Sequence, residues 1–306
     1  MNKARPGSPT TPAGEDARHE NHILAIALMC CAVTVFSTVD AAAKYLADDM
    51  SVPVLQVIWV RFLFHALLTV LIFGFVFRRE VVRSNKPTHQ FVRSLLVAVT
   101  TGFNFVAIKY LQLDQTVTIF FLTPLLVAAL AGPILGEWVG WRRLLAIFTG
   151  FIGVLLVTRP GFGGIHWAVL YSFAATITYA FYSIHTRYMA AHDTPEVNLF
   201  YTAFAGALLG APLGLAVWEW PGDALTWGLF LWLGLTGMVG HWLLILSFKY
   251  APAPVVAPFI YVSLLSMIGL GYVVFGDVPT LWTLAGGAVV IGSGLYLLYR
   301  ERRLSS

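Results

Sequence analysis

Residues 249–303 read KYAPAPVVAPFIYVSLLSMIGLGYVVFGDVPTLWTLAGGAVVIGSGLYLLYRERR. Two apolar runs, 253–275 and 281–299, are separated only by GDVPT (276–280), and each has the roughly 20 residues that a helix needs to cross hydrocarbon. Shifted back by 140 residues, the same pattern appears a second time. Lys249-Tyr250 falls on Lys109-Tyr110, Leu265 on Leu125, Leu270 on Leu130, Gly276-Asp277 on Gly136-Glu137, and Leu295 on Leu155. A shift of 143 lays Arg187-Tyr188 on Lys44-Tyr45. The chain is therefore an internal duplication.

Working outward, the apolar spans are 23–46, 54–77, 91–110, 113–135, 142–158, 165–188, 197–218, 226–248, 253–275 and 281–299. Polar and proline breaks at LQLDQ (111–115) and KYAPAP (249–254) divide the third span from the fourth and the eighth from the ninth. The runs are apolar all round and do not alternate, which excludes barrel strands. The expectation is an all-α membrane protein of ten transmembrane helices, built from repeats at 22–159 and 164–300. Residues 1–21, rich in Pro, Gly and charge, read as a disordered cytoplasmic tail, and 301–306 as a second short tail.

Composition agrees. Of 306 residues, 58% are hydrophobic and only 11% charged, far below the quarter or so of soluble domains. Five spans per half is an odd number, so the second half enters the membrane inverted. Lys and Arg distribution sets the orientation: with an N-in, C-in arrangement fifteen of the 19 lie on the cytoplasmic side, three near the outer ends, and Arg61 within a span. The net charge of +4 is thus topological, and nucleic acid is not an expected partner. Cys30 and Cys31 are helix neighbours that point apart, so no disulfide follows. The first apolar run, about 24 residues, is too long for a signal peptide. Inverted repeats of this kind are an architecture of secondary transporters, with the substrate near the midplane between halves.

The stretch ILGEWVGWRRLLAIFTGFIGVLLVTRPG (134–161) resembles the end of an EamA domain of the drug/metabolite transporter superfamily, and 249–303 resembles it more closely, with Asp277 where that family usually has Glu. The resemblance covers residues 22 to 303. It implies a transporter in a bacterial inner membrane, in the company of S-adenosylmethionine uptake proteins, riboflavin transporters and amino-acid exporters. It also implies a cavity lined by the third and sixth helices, which makes Asn104, Tyr179, Tyr182 and Ser183 candidates.

Ionisable groups inside a span are costly and face a cavity or a partner. Asp40 and Lys44 lie one turn apart in the first span, Arg61 and His65 one turn apart in the second. Two readings stand side by side: Arg61 is a fork for a substrate carboxylate with Asp40 answering a cation, or the two form a structural ion pair while Lys44 snorkels outward. His65 and Asp40 are the candidate groups for proton coupling. His185 and His241 sit toward the cytoplasmic ends, where a satisfied interfacial role is expected. Trp59 and Trp242 offer flat surfaces for a ring-bearing solute. By the 143 shift, Ser183 is the partner of Asp40. Glu137 and Asp277 are expected to cap the helices that follow them. Pro124, Pro133, Pro254 and Pro258 mark candidate hinges, and the small residues of the fifth and tenth spans a close helix contact.

The substrate-binding set is therefore Asp40, Trp59, Arg61, His65, Asn104, Tyr179, Tyr182, Ser183 and Trp242. Partners expected are a small-molecule substrate, membrane lipid and protons as candidate coupling ion. No cofactor or metal is expected, and the oligomeric state stays open between monomer and homodimer. No Walker loop, HExxH or Gly-x-Ser-x-Gly is present, so an ATPase or embedded enzyme finds no support, nor does a sensor.

Overall fold

The computed structural model describes residues 12–74, 81–111, 116, 119–158, 167–276, 278 and 281–303, and every regular element among them is helical. The first half contains α1 (Pro12–Asp48), α2 (Val54–Thr69, closing in a π-helical turn over Val70–Gly74), α3 (Pro87–Tyr110), α4 (Thr123–Leu135) and α5 (Trp141–Thr158). The second contains α6 (Val169–Met189), α7 (Pro195–Ala216), α8 (Ala224–Tyr250), α9 and α10 (Leu281–Arg303). Helix α9 is broken: one α-turn over Ala253–Val256, a 3-10 segment over Ala257–Tyr261, then α-helix over Val262–Phe275. Pro254 stands second in the first piece, where its missing N–H is an orphan anyway, and Pro258 second in the 3-10 segment, where its missing N–H interrupts the α-helical ladder. Six described helices, α1, α2, α3, α7, α8 and α9, are long and apolar enough to cross a membrane.

The chain differs from the sequence expectation at its start. Helix α1 reaches back to Pro12, into the stretch read as a tail. The segment PAGEDARHEN has a proline at its first position and acids in the first turns, a favourable helix start. Residues 1–11, 304–306, most of the LQLDQ break and Asp277 lie outside the described residues.

The duplication is visible in the backbone. Helices α4 and α9 both end on a left-handed glycine, Gly136 at φ 71° and ψ 11°, Gly276 at φ 72° and ψ 14°. Helices α3 and α8 both end in extended conformation after a Lys-Tyr pair whose ammonium lies over the tyrosine ring, at 5.7 Å for Lys109 and 6.0 Å for Lys249. The packing repeats as well. Helix α1 lies along α8 as α6 lies along α3, while α2 meets its counterpart α7, and α5 meets α10.

Close approach depends on missing side chains. A Cβ at Gly234 on α8 would sit 2.2 Å from Phe64 Cβ and 2.9 Å from its backbone carbon on α2. A Cβ at Gly206 on α7 would lie 2.3 Å from the Phe62 ring. These contacts hold α2 between α7 and α8 and fix the direction in which Arg61 points.

One end of the bundle is tied by a polar network. In the α6–α7 connection, Asp193 accepts from Ser84 Oγ (2.5 Å), Asn85 N (2.8 Å) and Gln90 Nε2 (2.8 Å). Gln90 also donates to Asn198 Oδ1 (2.6 Å), and the buried Arg93 donates to the Asn198 carbonyl. Burial alone would raise the Asp193 pKa; the donors outweigh it and hold the carboxyl below its ordinary value.

Two predictions follow from these contacts. Gly234→Ala drives a methyl into α2 backbone that cannot yield, so thermal unfolding in detergent should show a loss of about 1–3 kcal/mol. Gly228→Ala on the same helix meets nothing within 4 Å and should be neutral or slightly stabilising. Because the folded pKa of Asp193 lies below its unfolded value, its contribution is present above the unfolded pKa and lost as pH falls through the folded one. Melting scans at descending pH should therefore fall less steeply in Asp193→Asn than in the parent, from an already lower starting midpoint.

Candidate functional site

The site is assembled from one face of each of six elements. On α1, Phe36, Ser37 and Asp40 follow the i, i+1, i+4 spacing that shares a helix face, and on α3 Thr100, Thr101 and Asn104 repeat it. Arg61 enters from α2, Tyr179 from α6, His241 from α8, and Ile260, Ser263 and Met267 from the broken α9. Together with Phe120 they line one cavity between the two halves, mostly apolar in its walls with a few convergent polar groups.

Arg61 is the centre of this arrangement. It is only 6% exposed, and its guanidinium donates through Nη1 to Thr101 Oγ1 (2.5 Å) and through Nη2 to His241 Nε2 (3.4 Å). Guanidinium has donors only, so His241 Nε2 accepts; its Nδ1 then carries the proton and donates to the Tyr182 hydroxyl at 3.0 Å. The cation also lies over the rings of Phe62 (5.1 Å) and Phe105 (5.8 Å). Arg61 Nε has no partner, and the missing side chain of Gly237, whose Cβ would come within 3.6 Å, leaves space beside it.

Asp40 does not close this gap. It accepts from Asn104 Nδ2 at 3.1 Å, and no described ion pair joins it to Arg61. Lys44 pairs with Asp48 at 2.9 Å along its own helix. The cavity thus presents a carboxylate and a guanidinium that feel each other's charge without a direct bond.

Of the nine residues singled out in the sequence, Asp40, Arg61, Asn104 and Tyr179 line the cavity. His65 and Tyr182 stand behind it. The His65 ring stacks on His241 at 5.7 Å, and Tyr182 supports His241 by its hydroxyl. Ser183 donates to the Tyr179 carbonyl at 2.9 Å within α6 and is fully buried. Trp59 donates to the Ala207 carbonyl (3.0 Å) and packs on Gly214 and Trp218, at the α2–α7 contact; Trp242 packs on Phe73. Trp59 is two residues from Arg61 and Trp242 directly follows His241, so both indoles are turned about the helix away from the faces that carry Arg61 and His241.

His241 departs from its expected interfacial place: it is 2% exposed and buried beside Arg61. The 140 shift was the signal that finds it, since 241 maps onto Thr101. The two repeat-related residues hold the two Nη atoms of one guanidinium. Other wall residues pair in the same way, Phe36 with Tyr179 and Phe120 with Ile260. The charged residues do not: Asp40 maps onto Ser183, so both charges come from the first half.

Glu137 also departs from expectation. Helix α4 closes with Gly136 N and Glu137 N bonded back to Gly132 O and Ala131 O, and the left-handed glycine turns the acid away from α5. Its Oε1 accepts from Arg187 Nε at 2.7 Å and its Oε2 from Ala253 N at 2.8 Å, so it caps the start of α9 in the other half.

Comparison with known proteins places this geometry. A family model described as the EamA-like transporter family matches residues 23–159 and 166–300, one match per half. A Rickettsia prowazekii protein named S-adenosylmethionine uptake transporter is 24% identical over 87% of this chain and 90% of its own length. A Vibrio cholerae riboflavin transporter is 26% identical over 90% and 93%. A Pseudomonas aeruginosa pseudopaline exporter is 23% identical over 87% and 93%. One crystal structure superposes with a TM-score of 0.74 at 19% identity, covering 92% of this chain and 99% of that one, which shows the shared fold.

Two buried charges in one cavity answer each other in part, so removing one of them leaves the other uncompensated. Arg61→Met is therefore expected to lower stability in detergent, and Arg61→Met with Asp40→Asn to recover part of the loss; equal losses in the two variants would show that the two charges do not feel each other.

Proposed function

The chain belongs to the EamA-like transporter family, a multi-pass membrane transporter and not an enzyme, and from this we propose that it is a secondary transporter that carries a small organic metabolite across the bacterial inner membrane by alternating access of its two inverted halves. The observation that carries the reading is Arg61: a buried guanidinium at the cavity wall, held by repeat-related Thr101 and His241, with an unused Nε and no carboxylate paired to it. A transported anionic group bonds the unused Nε and gives the guanidinium a direct anionic partner for the part of the cycle in which the solute is bound.

Asp40, in the same cavity, answers a cationic group, and Phe36, Phe120 and Tyr179 add aromatic rings to its wall. A solute with a carboxylate, an amine or sulfonium and a flat ring meets all three features. S-adenosylmethionine fits this pattern, an aromatic amino acid fits it in smaller form, and riboflavin uses the rings but brings no carboxylate. In this reading the ten helical segments all span, with both termini cytoplasmic, and Asn104 and Tyr179 join Asp40 and Arg61 in contact with solute. His65, Tyr182 and Ser183 act from behind the wall; Trp59 and Trp242 act through the position of α2. Protons drive the cycle through the Asp40 carboxyl.

Flux of radiolabelled S-adenosylmethionine, riboflavin and amino acids into proteoliposomes, with and without a pH gradient, tests the proposal. Saturable uptake of one solute is expected, reduced at least about a hundredfold in Arg61→Ala, since a lost charge-assisted pair in a buried site costs about 3 kcal/mol or more. Leu208→Ala, on an exposed apolar face, should transport like the parent. Uptake that survives in Arg61→Ala would remove Arg61 from the site.

A further inference from the structure

Four of the six buried side-chain polar atoms without a hydrogen-bond partner among the described residues are Arg61 Nε, His65 Nε2, Thr69 Oγ1 and Arg93 Nη1. Buried polar atoms are nearly always bonded, so their gathering in one part of the bundle has a cause. Arg61, His65 and Thr69 follow one another on α2 at intervals of four residues, the spacing that stacks side chains along one helix face, and the row is about 12 Å long. His65, Thr69 and Arg93 are at most 1% exposed. A helix that only had to pack would place apolar side chains there. Polar and ionisable groups inside a span mark the path of a solute or an ion.

The row starts at the cavity wall with Arg61 and runs away from it. Gly237 on α8 adjoins its first two members: a Cβ there would lie 3.6 Å from Arg61 Nε and 3.9 Å from His65 Nδ1. His65 in turn feels the charges of both Arg61 and Arg93. Helical hydroxyls commonly bond the carbonyl one turn back, as those of Thr176, Ser183 and Thr202 do; that of Thr69 does not. Directly after it the helix widens into the π-helical turn over Val70–Gly74, a distortion frequent at functional sites. Arg93 comes from α3, which packs on α2. Its Nε donates to Gln90 Oε1 (3.0 Å) and its Nη2 to the Asn198 carbonyl, which ties α3 to α7 and leaves Nη1 over. Arg93 feels the charge of Asp193, but that carboxylate is bonded by Ser84, Asn85 and Gln90.

We propose that this row is the route by which the anionic group of the solute, a carboxylate or phosphate, leaves Arg61 toward the Asp193 end, and that Arg93 is the second cation on which it rests. The inference rests on the transporter reading above and adds a site to it. An anion released from Arg61 into a passage of low dielectric meets a steep electrostatic barrier, and a second guanidinium near the far end of the row lowers it. Two stations of moderate strength also let a charged solute leave, where a single deep one would hold it. Between them His65 Nε2 and Thr69 Oγ1 bond nothing in this arrangement and are open to the passing group. The same end is shut here by the bonds to Asp193 and by Glu137 with Arg187, so the row lies closed beyond the wall that Arg61 and His241 form.

Thiol labelling tests the route without a substrate. Thr69→Cys is placed in a protein carrying Cys30→Ser and Cys31→Ser, reconstituted in vesicles and exposed on both faces to two methanethiosulfonates, one bearing a sulfonate and one a trimethylammonium. With each rate divided by that for free cysteine, the sulfonate reagent should modify the introduced thiol faster, on the order of tenfold, because a passage lined by cations concentrates anions. Leu67→Cys, on an exposed apolar face two residues away, should react with neither. Adding Arg93→Gln should abolish the preference for the sulfonate, and Arg93→Lys should keep it. No modification at Thr69→Cys, equal rates for the two reagents, or a preference that survives Arg93→Gln would each overturn the route. The first two outcomes are read without altering Arg93, so they stand even where Arg93→Gln fails to fold. Anion-selective labelling with no flux of any tested solute would sink only the substrate assignment, and flux with an inert thiol at Thr69→Cys would sink only the route.

Discussion

Hydrocarbon offers an ion no solvent, and the interior of this protein is organised around answering one guanidinium. Arg61 is buried in the second helix, and each feature near it is something that a buried cation needs: an oxygen from Thr101, a nitrogen lone pair from His241, and two ring faces. What it lacks is a direct bond to a carboxylate, although Asp40 stands close enough for the two charges to feel each other. A purely structural arginine beside Asp40 would have been expected to bond to it. Asn104 instead keeps Asp40 occupied. The two charges are held apart at some cost to stability, which is a pattern of sites that bind a charged ligand and not of sites built for stability alone.

The internal symmetry makes this clearer. Where the two halves contribute equivalent residues to the cavity, they are apolar or neutral, Phe36 with Tyr179, Phe120 with Ile260, Thr101 with His241. Where they differ, the difference is charge, with Asp40 against Ser183. A symmetric cavity binds a solute in either of two orientations related by the pseudo-twofold axis. Placing both charges in the first half removes that degeneracy, so an amphoteric solute has one preferred pose. The symmetric part of the wall supports a machine with two states; the asymmetric part supports recognition.

Much of the fold was legible in the sequence because lipid reduces the choices. Apolar runs of fixed length, proline breaks such as KYAPAP and the Lys-Tyr repeat locate most of the helices without tertiary information. The first helix was the exception, since a polar but helix-favouring segment, PAGEDARHEN, carries no apolar signal. The site was legible only by type. Charge inside a span points to Asp40 and Arg61 directly. Rotational position is another matter. Trp59 and Arg61 are two residues apart, about 200° around a helix, and one packs on α7 while the other faces the cavity. His241 reads from the sequence as lying toward a helix end, whereas its repeat partner Thr101 holds the same guanidinium in the interior.

The same mapping explains why Glu137 does something that helix chemistry alone would not assign. An acid after a helix-ending glycine is normally read as the cap of the next helix. Here the left-handed turn at Gly136 sends the side chain sideways, and the free N–H groups it meets are those at the start of α9, freed because α8 stops at Tyr250 and Pro252 cannot donate. The break that separates α8 from α9 and the glycine that ends α4 are therefore two parts of one contact, contributed by opposite halves. Sequence features that look like independent helix punctuation acquire a joint role once the duplication brings them to the same end of the bundle.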